Sequence, residues 1–236
     1  MEITQVAERH WHALEDDLVV GRGDAWPRPD GRLFLSVDVW HDAVFDRLAA
    51  AMLAGLPRPL YTVVDQADTD LTTSWHRAGF TTRRREWECL VPTAPATAPP
   101  PAGVTIVPLG GAEERPLRRL DRTIRAEIDW AEMPAEMLAR LDPTKYAAAA
   151  VDGHYVGLVR VVALTRLPRI GPVAVRADHR RRGIARALLA HVLGTLHDAG
   201  IGTASVEVNE SNAAGTALFD GVGARRAGSN LELVSR

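Results

Sequence analysis

The stretch richest in chemistry is Pro172 to Leu189, PVAVRADHRRRGIARALL, where a β-branched strand runs through a loop with three consecutive arginines into a helix opened by glycine. Such an order builds an anion site. The first N–H groups of a helix lack internal partners and sit at the positive end of its dipole, so a phosphate group is stabilised there. Gly183 and Ala185 leave those N–H groups uncovered, which lets a large anion approach the backbone. Arginines alongside add charge-assisted, often bidentate, hydrogen bonds. The arginine run alone reads as a solvated face, and the glycine is what favours the anion site.

Other chemistries find little support. Cys89 is the single cysteine of 236 residues, so it forms no internal disulfide, and a half-buried strand position explains it. The eight histidines show no ligand spacing: His191 and His197 are six apart on one helix, and no metal is expected. Net charge is −2, with Lys145 the only lysine, which gives no reason to expect nucleic acid. The run Leu48 to Leu56 is about half of what a membrane span needs, and the first residues lack the apolar core of a signal peptide, so a cytoplasmic protein with no membrane partner is expected.

The elements that must position the anion site are legible around it. Val104 to Pro108 reads as a strand, Glu113 to Glu127 as a helix striped by Leu117, Leu120 and Ile124, and Pro134 to Leu141 as a second helix. Strands follow at Ala147 to Val151, Tyr155 to Leu164 and Ile170 to Val175, the first two joined by Asp152-Gly153. Gly183 opens a long helix with Ile184, Leu188, Val192 and Leu196 on one face and Gly200 at its end. Ala204 to Val208 (strand), Ala213 to Gly221 (helix) and Leu231 to Val234 (strand) complete an α+β order with a mixed, mostly antiparallel sheet.

Five of the twelve residues of Pro92 to Gly103 are proline and none is charged, which marks a linker between an N-terminal domain at 1–91 and a C-terminal domain at 104–236. The N-terminal piece repeats the later elements: strand Leu33 to Val39, helix Val44 to Leu56, strand Leu60 to Val64, helix Leu71 to Ala78, strand Trp87 to Val91. Its last helix ends Trp75-His-Arg-Ala-Gly79-Phe80, as the later one ends Phe219-Asp-Gly-Val-Gly223-Ala224, which points to internal duplication. Arg83 to Arg85 are expected to face solvent or to oppose Asp65, Asp68 and Asp70.

Arg180-x-x-Gly183-x-Ala185 after Val173-Ala174-Val175, followed by Asn212-x-x-Gly215-x-x-Leu218-Phe219-x-x-x-Gly223, resembles the GNAT superfamily of acyl-CoA-dependent N-acyltransferases. The likeness runs from Val104 to Arg236 in element order. It is faint over Arg28 to Val91, where no Arg-x-x-Gly-x-Ala loop follows Val39, so the chain reads as a tandem form with a degenerate N-terminal half.

The resemblance implies acetyl-CoA as co-substrate and transfer of its acetyl group to a primary amine by direct attack in a ternary complex. The acceptor would be a small molecule or a peptide, and a homodimer is left open. Val173, Ala174 and Val175 would pair through their backbone with the pantetheine arm in a gap between the fourth and fifth strands. Arg180, Arg181, Arg182, Gly183, Ile184, Ala185 and Arg186 would surround the pyrophosphate, and Asn212 would hold the pantetheine side or cap a helix. The amine must lose a proton before it attacks. Glu127, Asp129 and Glu132, in the segment EIDWAEMP, and Glu207 are the candidate bases, with Trp130 a candidate pocket wall. Phe219 stands where many relatives carry a tyrosine that protonates the leaving thiolate, and Tyr146 or Tyr155 are the candidate substitutes. The alternative is an acyl-CoA-binding or interaction module with impaired catalysis.

Overall fold

A computed structural model describes residues 1–28, 31–94, 98–128, 141–162 and 166–236. The chain divides into two compact units, Met1–Trp87 with Gly228–Arg236, and Glu88–Ala227. In chain order the first elements are β1 (Glu2–Ala7), β2 (His10–Glu15), β3 (Leu18–Pro27), β4 (Leu33–Val39), α1 (Asp42–Gly55), β5 (Leu60–Asp65), α2 (Thr69–Arg77) and β6 (Thr81–Pro92). There follow β7 (Val104–Val107), α3 (Glu114–Ala126), β8 (Tyr146–Val151), β9 (His154–Val162), β10 (Arg169–Val175), α4 (Ile184–Asp198), β11 (Thr203–Asn209), α5 (Ala213–Asp220) and β12 (Arg225–Ser235). Among the described residues no helix is long and apolar enough to cross a membrane.

In the first unit β1 to β4 form an antiparallel meander, β4 meets β5 in parallel, and β12 lies antiparallel to β5 from Asn230 to Ser235. Three of these strands, β1 to β3, lie outside the elements expected from sequence. The reason is the face that α1 covers. On β3 the inward positions are Gly21, Gly23 and Ala25; a Cβ on Gly21 would lie 2.9 Å from Val44 Cγ1, and one on Gly23 would strike Met52 Sδ. Small residues let the helix sit close, yet leave no apolar alternation to read. Over them Phe45 meets Trp75 edge-on at 5.0 Å, and Trp75 meets Phe80 at 4.7 Å.

In the second unit β7 to β10 are antiparallel in chain order, β10 and β11 are parallel, and β11 is flanked by the end of β6. The long helix α4 buries Ile184, Leu188, Val192 and Leu196, each contributing about 1.5–3 kcal/mol relative to exposure. A close approach recurs here, since a Cβ on Gly157 of β9 would sit 3.1 Å from Leu188 Cδ1. The expected helix Pro134 to Leu141 falls almost wholly outside the described residues.

Among the described residues element order repeats between the two halves of the sequence, β1 to β6 and β7 to β12, save that the first half has a tight turn where the second has α3. The matched helix ends repeat in detail. Gly79 has φ 91° and Gly223 φ 81°, and the residue after each donates its N–H to the main-chain carbonyl five positions back, Phe80 to that of Trp75 and Ala224 to that of Phe219. The C-terminal strand differs from expectation: its residues from Gly228 on belong to the first unit, where β12 pairs with β5.

Candidate functional site

On one edge β10 is paired with β9, so that Val173, Ala174 and Val175 face Val159, Leu158 and Gly157. On the other edge it meets β11 only at its start, where Arg169 and Ile170 lie beside Ser205 and Val206. From Val173 on, that second edge presents main-chain donors and acceptors with no strand partner among the described residues. An extended, amide-bearing ligand can add to such an edge as another strand would. A β-bulge between Ile170 and Val173 bends β10 where the gap opens, and Pro172, which has no N–H to donate, lies inside it.

Eight residues, 176–183, carry the chain from β10 to α4. They open with a 3-10 turn at Ala177–His179 and include Arg181 at φ 63° and Gly183 at φ 82°. An arginine in the left-handed region is uncommon, and such backbone is held only where its surroundings fix it. Gly183 occupies the N-cap of α4 without a side chain to cap it, and the first turn carries no acid, so the opening N–H groups remain available to a ligand. A Cβ at Gly183 would have Pro101 Cγ as its neighbour at 3.6 Å; backbone conformation, not crowding, calls for glycine.

The arginines of this loop divide into two kinds. Arg180 donates its Nε–H to the Val175 carbonyl at 2.9 Å and a terminal N–H to Glu127 Oε2 at 2.8 Å, while the same oxygen accepts from the Ala177 N–H at 2.9 Å. Arg182 donates to the Asp178 carbonyl at 2.9 Å, and Arg176 pairs with the Asp178 carboxylate at 2.7 Å. Arg181 and Arg186 make no ion pair among the described residues and stand in solvent beside the helix start.

The remaining candidates are scattered. Glu127 sits at the C-cap of α3, tied to the loop as described. Glu207, on β11, pairs with Arg169 at 2.5 Å at the closed end of the gap. Asp129, Trp130 and Glu132 lie outside the described residues. Phe219 is buried in α5. Asn212 is the N-cap of α5, its Oδ1 accepting from Gly215 N–H at 2.9 Å, which leaves its side-chain N–H groups for other partners. Tyr155 accepts the Glu113 N–H at 3.1 Å, and Tyr146 is buried, which pushes its phenol pKa above the usual 10. Arg83 and Arg84 correct the expectation of a solvated run: Arg83 pairs with Glu232 and Arg84 with Glu86, all largely buried, because Glu86 follows on β6 itself and Glu232 lies on the adjoining strand β12. No group of three metal-ligating side chains occurs among the described residues.

The first unit repeats the gap without the loop. β4 and β5 touch only at Leu33 beside Leu60 and Phe34 beside Tyr61. Just two residues, Trp40 and His41, then separate β4 from α1, whose first turn carries Asp42. A carboxylate at that end of a helix occupies the place an anion would take.

Residues 113–224 match the model of the acetyltransferase (GNAT) family. The ribosomal protein bS18 alanine N-acetyltransferase of Escherichia coli K12 is 43% identical over 51 residues, 22% of this chain and 34% of the relative. The chain thus spans about a third of the curated relatives it matches. A GCN5-related N-acetyltransferase from Sphaerobacter thermophilus aligns with a TM-score of 0.75 at 19% identity, over 98% of this chain and 82% of that one. A tandem GNAT protein from the clavulanic acid biosynthesis pathway aligns at 0.69 with 14% identity, over 96% and 82%. At these identities the structural likeness is one of fold.

Proposed function

Residues 113–224 belong to the acetyltransferase (GNAT) family, and on that premise we propose that the chain transfers the acetyl group of acetyl-CoA to a primary amine by direct attack in a ternary complex. The observation that carries this reading is the open edge of β10 at Val173 to Val175, running to an uncapped helix start flanked by arginines. That edge would take the pantetheine amides. The N–H groups of residues 180–186 would take the pyrophosphate, with Arg181 and Arg186 as its free cations, and the side-chain N–H groups of Asn212 would face the pantetheine. The co-substrate supplies an acyl carbon that a thiolate can leave. The chain's part is to hold that carbonyl beside main-chain donors near the bulge, where a developing oxyanion needs them, and to let the amine shed its proton. As the amine nitrogen bonds to the carbonyl carbon the C–S bond breaks, and the amine proton passes to solvent or a base.

By its name the Escherichia coli relative acts on the alanine of a ribosomal protein, so a peptide or protein amine is the acceptor class we infer first and a small-molecule amine second. We also infer that the N-terminal unit is a second copy of the fold that lacks a phosphate loop, supported by its repeated element order and its two-residue β4–α1 connection.

Calorimetric titration of acetyl-CoA into the full chain, Gly183→Glu and Ala185→Glu tests the site. Glutamate is favoured near a helix start, so Ala185→Glu keeps α4 while its carboxylate fills the anion's place. Binding to the wild type that both variants lose is the expected result, followed by thiol release with a panel of amines. A folded wild type that binds no acetyl-CoA overturns the reading.

A second reading, an acyl-CoA-binding module without turnover, is favoured by Phe219, which is 6% exposed and has no proton to give a leaving thiolate. Phe219→Tyr separates the two. Thiol release rises severalfold in an enzyme and stays at background in a binder.

A further inference from the structure

Helix α3 carries two classes of arginine. Arg118 and Arg125 are each paired with the acid four residues before them, Glu114 at 2.5 Å and Asp121 at 2.6 Å. Arg115 and Arg119 have no ion pair among the described residues. They stand four apart on one face, an arrangement of like charges that destabilises a helix. Both line a cavity of about 270 Å³ between α3 and the start of β9, whose wall also holds His154, Tyr155 and Arg176.

No carboxylate lines this cavity among the described residues. Arg176 is paired with the Asp178 carboxylate through a terminal nitrogen, and its Nε is buried without a hydrogen-bond partner. A buried donor left unmet is costly, and here it belongs to the third guanidinium around one cavity. Leu120 and Pro116 give the floor an apolar character, and the Tyr155 hydroxyl is held in place by the Glu113 N–H. Three arginines lining one partly apolar cavity supply forked donors of the kind that recognise a planar or tetrahedral anion.

We propose that this cavity binds a carboxylate or phosphate group. On the acetyl-transfer reading above, on which this step rests, the group belongs to the acceptor: Arg176 directly follows Val175, which sets the cavity roughly 10 Å along β10 from the bulge where the acyl carbonyl would lie. Acceptors that carry an anion roughly 10 Å from their amine, as a short peptide can, are then held more tightly than neutral ones. None of residues 180–186, whose backbone would take the pyrophosphate, lines the cavity.

The test uses the full chain and the double variant Arg115→Gln/Arg119→Gln, whose side chains are exposed and whose melting temperature reports folding. Inorganic phosphate and acetate are titrated by NMR chemical-shift perturbation, and acetyl-CoA and its 3′-dephospho form by calorimetry. The expected result is saturable binding of at least one anion to the wild type, weakened about tenfold in the double variant, with acetyl-CoA affinity unchanged between the two proteins. Equal anion binding by both proteins, or none to the wild type, overturns the proposal. So does a double variant that loses affinity for acetyl-CoA but not for the dephospho form, because the cavity would then serve the co-substrate's own phosphate. If the wild type binds phosphate here yet no acetyl-CoA at all, the anion site stands and the acetyl-transfer reading falls.

Discussion

One carboxylate oxygen of Glu127 accepts from both the Arg180 guanidinium, at 2.8 Å, and the Ala177 N–H, at 2.9 Å, tying the end of α3 to the loop that leads into α4. A base that must take a proton from an amine needs a free lone pair in reach of it, and this oxygen already serves two donors. The geometry favours a tethering part for Glu127, with Arg180 acting as a bracket between it and the Val175 carbonyl.

Glu127→Gln is therefore expected to act on KM rather than on kcat. The pair is 47% and 23% exposed, so its loss is worth at most about 1 kcal/mol, or roughly a fivefold rise in the KM for acetyl-CoA. If Glu127 were the general base, kcat would fall about 10²-fold or more and the acidic limb of the pH–rate profile would vanish. Steady-state kinetics across pH decide between the two.

Asn212 and Gly215 form one device. The Asn212 side chain caps α5 through the Gly215 N–H, and a Cβ on Gly215 would lie 2.7 Å from Asn212 Nδ2 and push the cap aside. Asn212→Ala should cost about 1 kcal/mol, and Gly215→Ala a similar amount for the same lost hydrogen bond. The double variant should cost little more than either alone, since both remove one interaction. Additive losses in denaturant titrations would show that the two residues act independently.

Glu232 is 7% exposed and neutralises both Arg32 and Arg83 within the first unit. Replacing it by alanine removes the carboxylate shared by two largely buried guanidinium groups and should destabilise by about 3–5 kcal/mol. Asp46→Ala, which removes the partner of the roughly half-exposed Arg77, should leave the melting temperature close to that of the wild type, because solvent screens an exposed pair. Thermal melts of the two variants should differ plainly; equal shifts would mean that burial of the Glu232 cluster adds nothing.

That cluster also shows where sequence reading stops. Arg83-Arg84-Arg85 has the composition of a solvated run, and only the return of the distant C-terminal strand, bearing Glu232, reveals an interior role. Strands β1 to β3 were hidden for a local reason, because Gly21, Gly23 and Ala25 replace the large apolar residues that make an alternation visible. The β10 to α4 passage was legible because its signals agree: β-branched residues, a glycine at the helix start, a stripe repeating every four residues. The gap beside β10 was expected from family likeness and is seen in the pairing. The cavity under Arg115 and Arg119 left no trace in sequence, since paired and unpaired arginines look alike until their neighbours are known.

Stability at alkaline pH should report two buried acids of the second unit. Burial pushes the Cys89 thiol up, with Arg226 pulling it part of the way back, and burial likewise raises the Tyr146 phenol against the pull of Arg160. In the unfolded chain these groups ionise near about 8.5 and about 10. Between the unfolded and folded values the unfolded chain has released a proton that the folded chain still holds, so rising pH favours unfolding. Their stabilising contribution is complete below about pH 8.5 and is lost as pH climbs through the raised values. Urea midpoints of the wild type should fall above about pH 9 and again above about pH 10. Cys89→Ala should flatten the first decline and Tyr146→Phe the second, each compared with its own midpoint at neutral pH. A wild-type midpoint unchanged up to about pH 10.5 would show that neither proton is held more tightly in the folded chain.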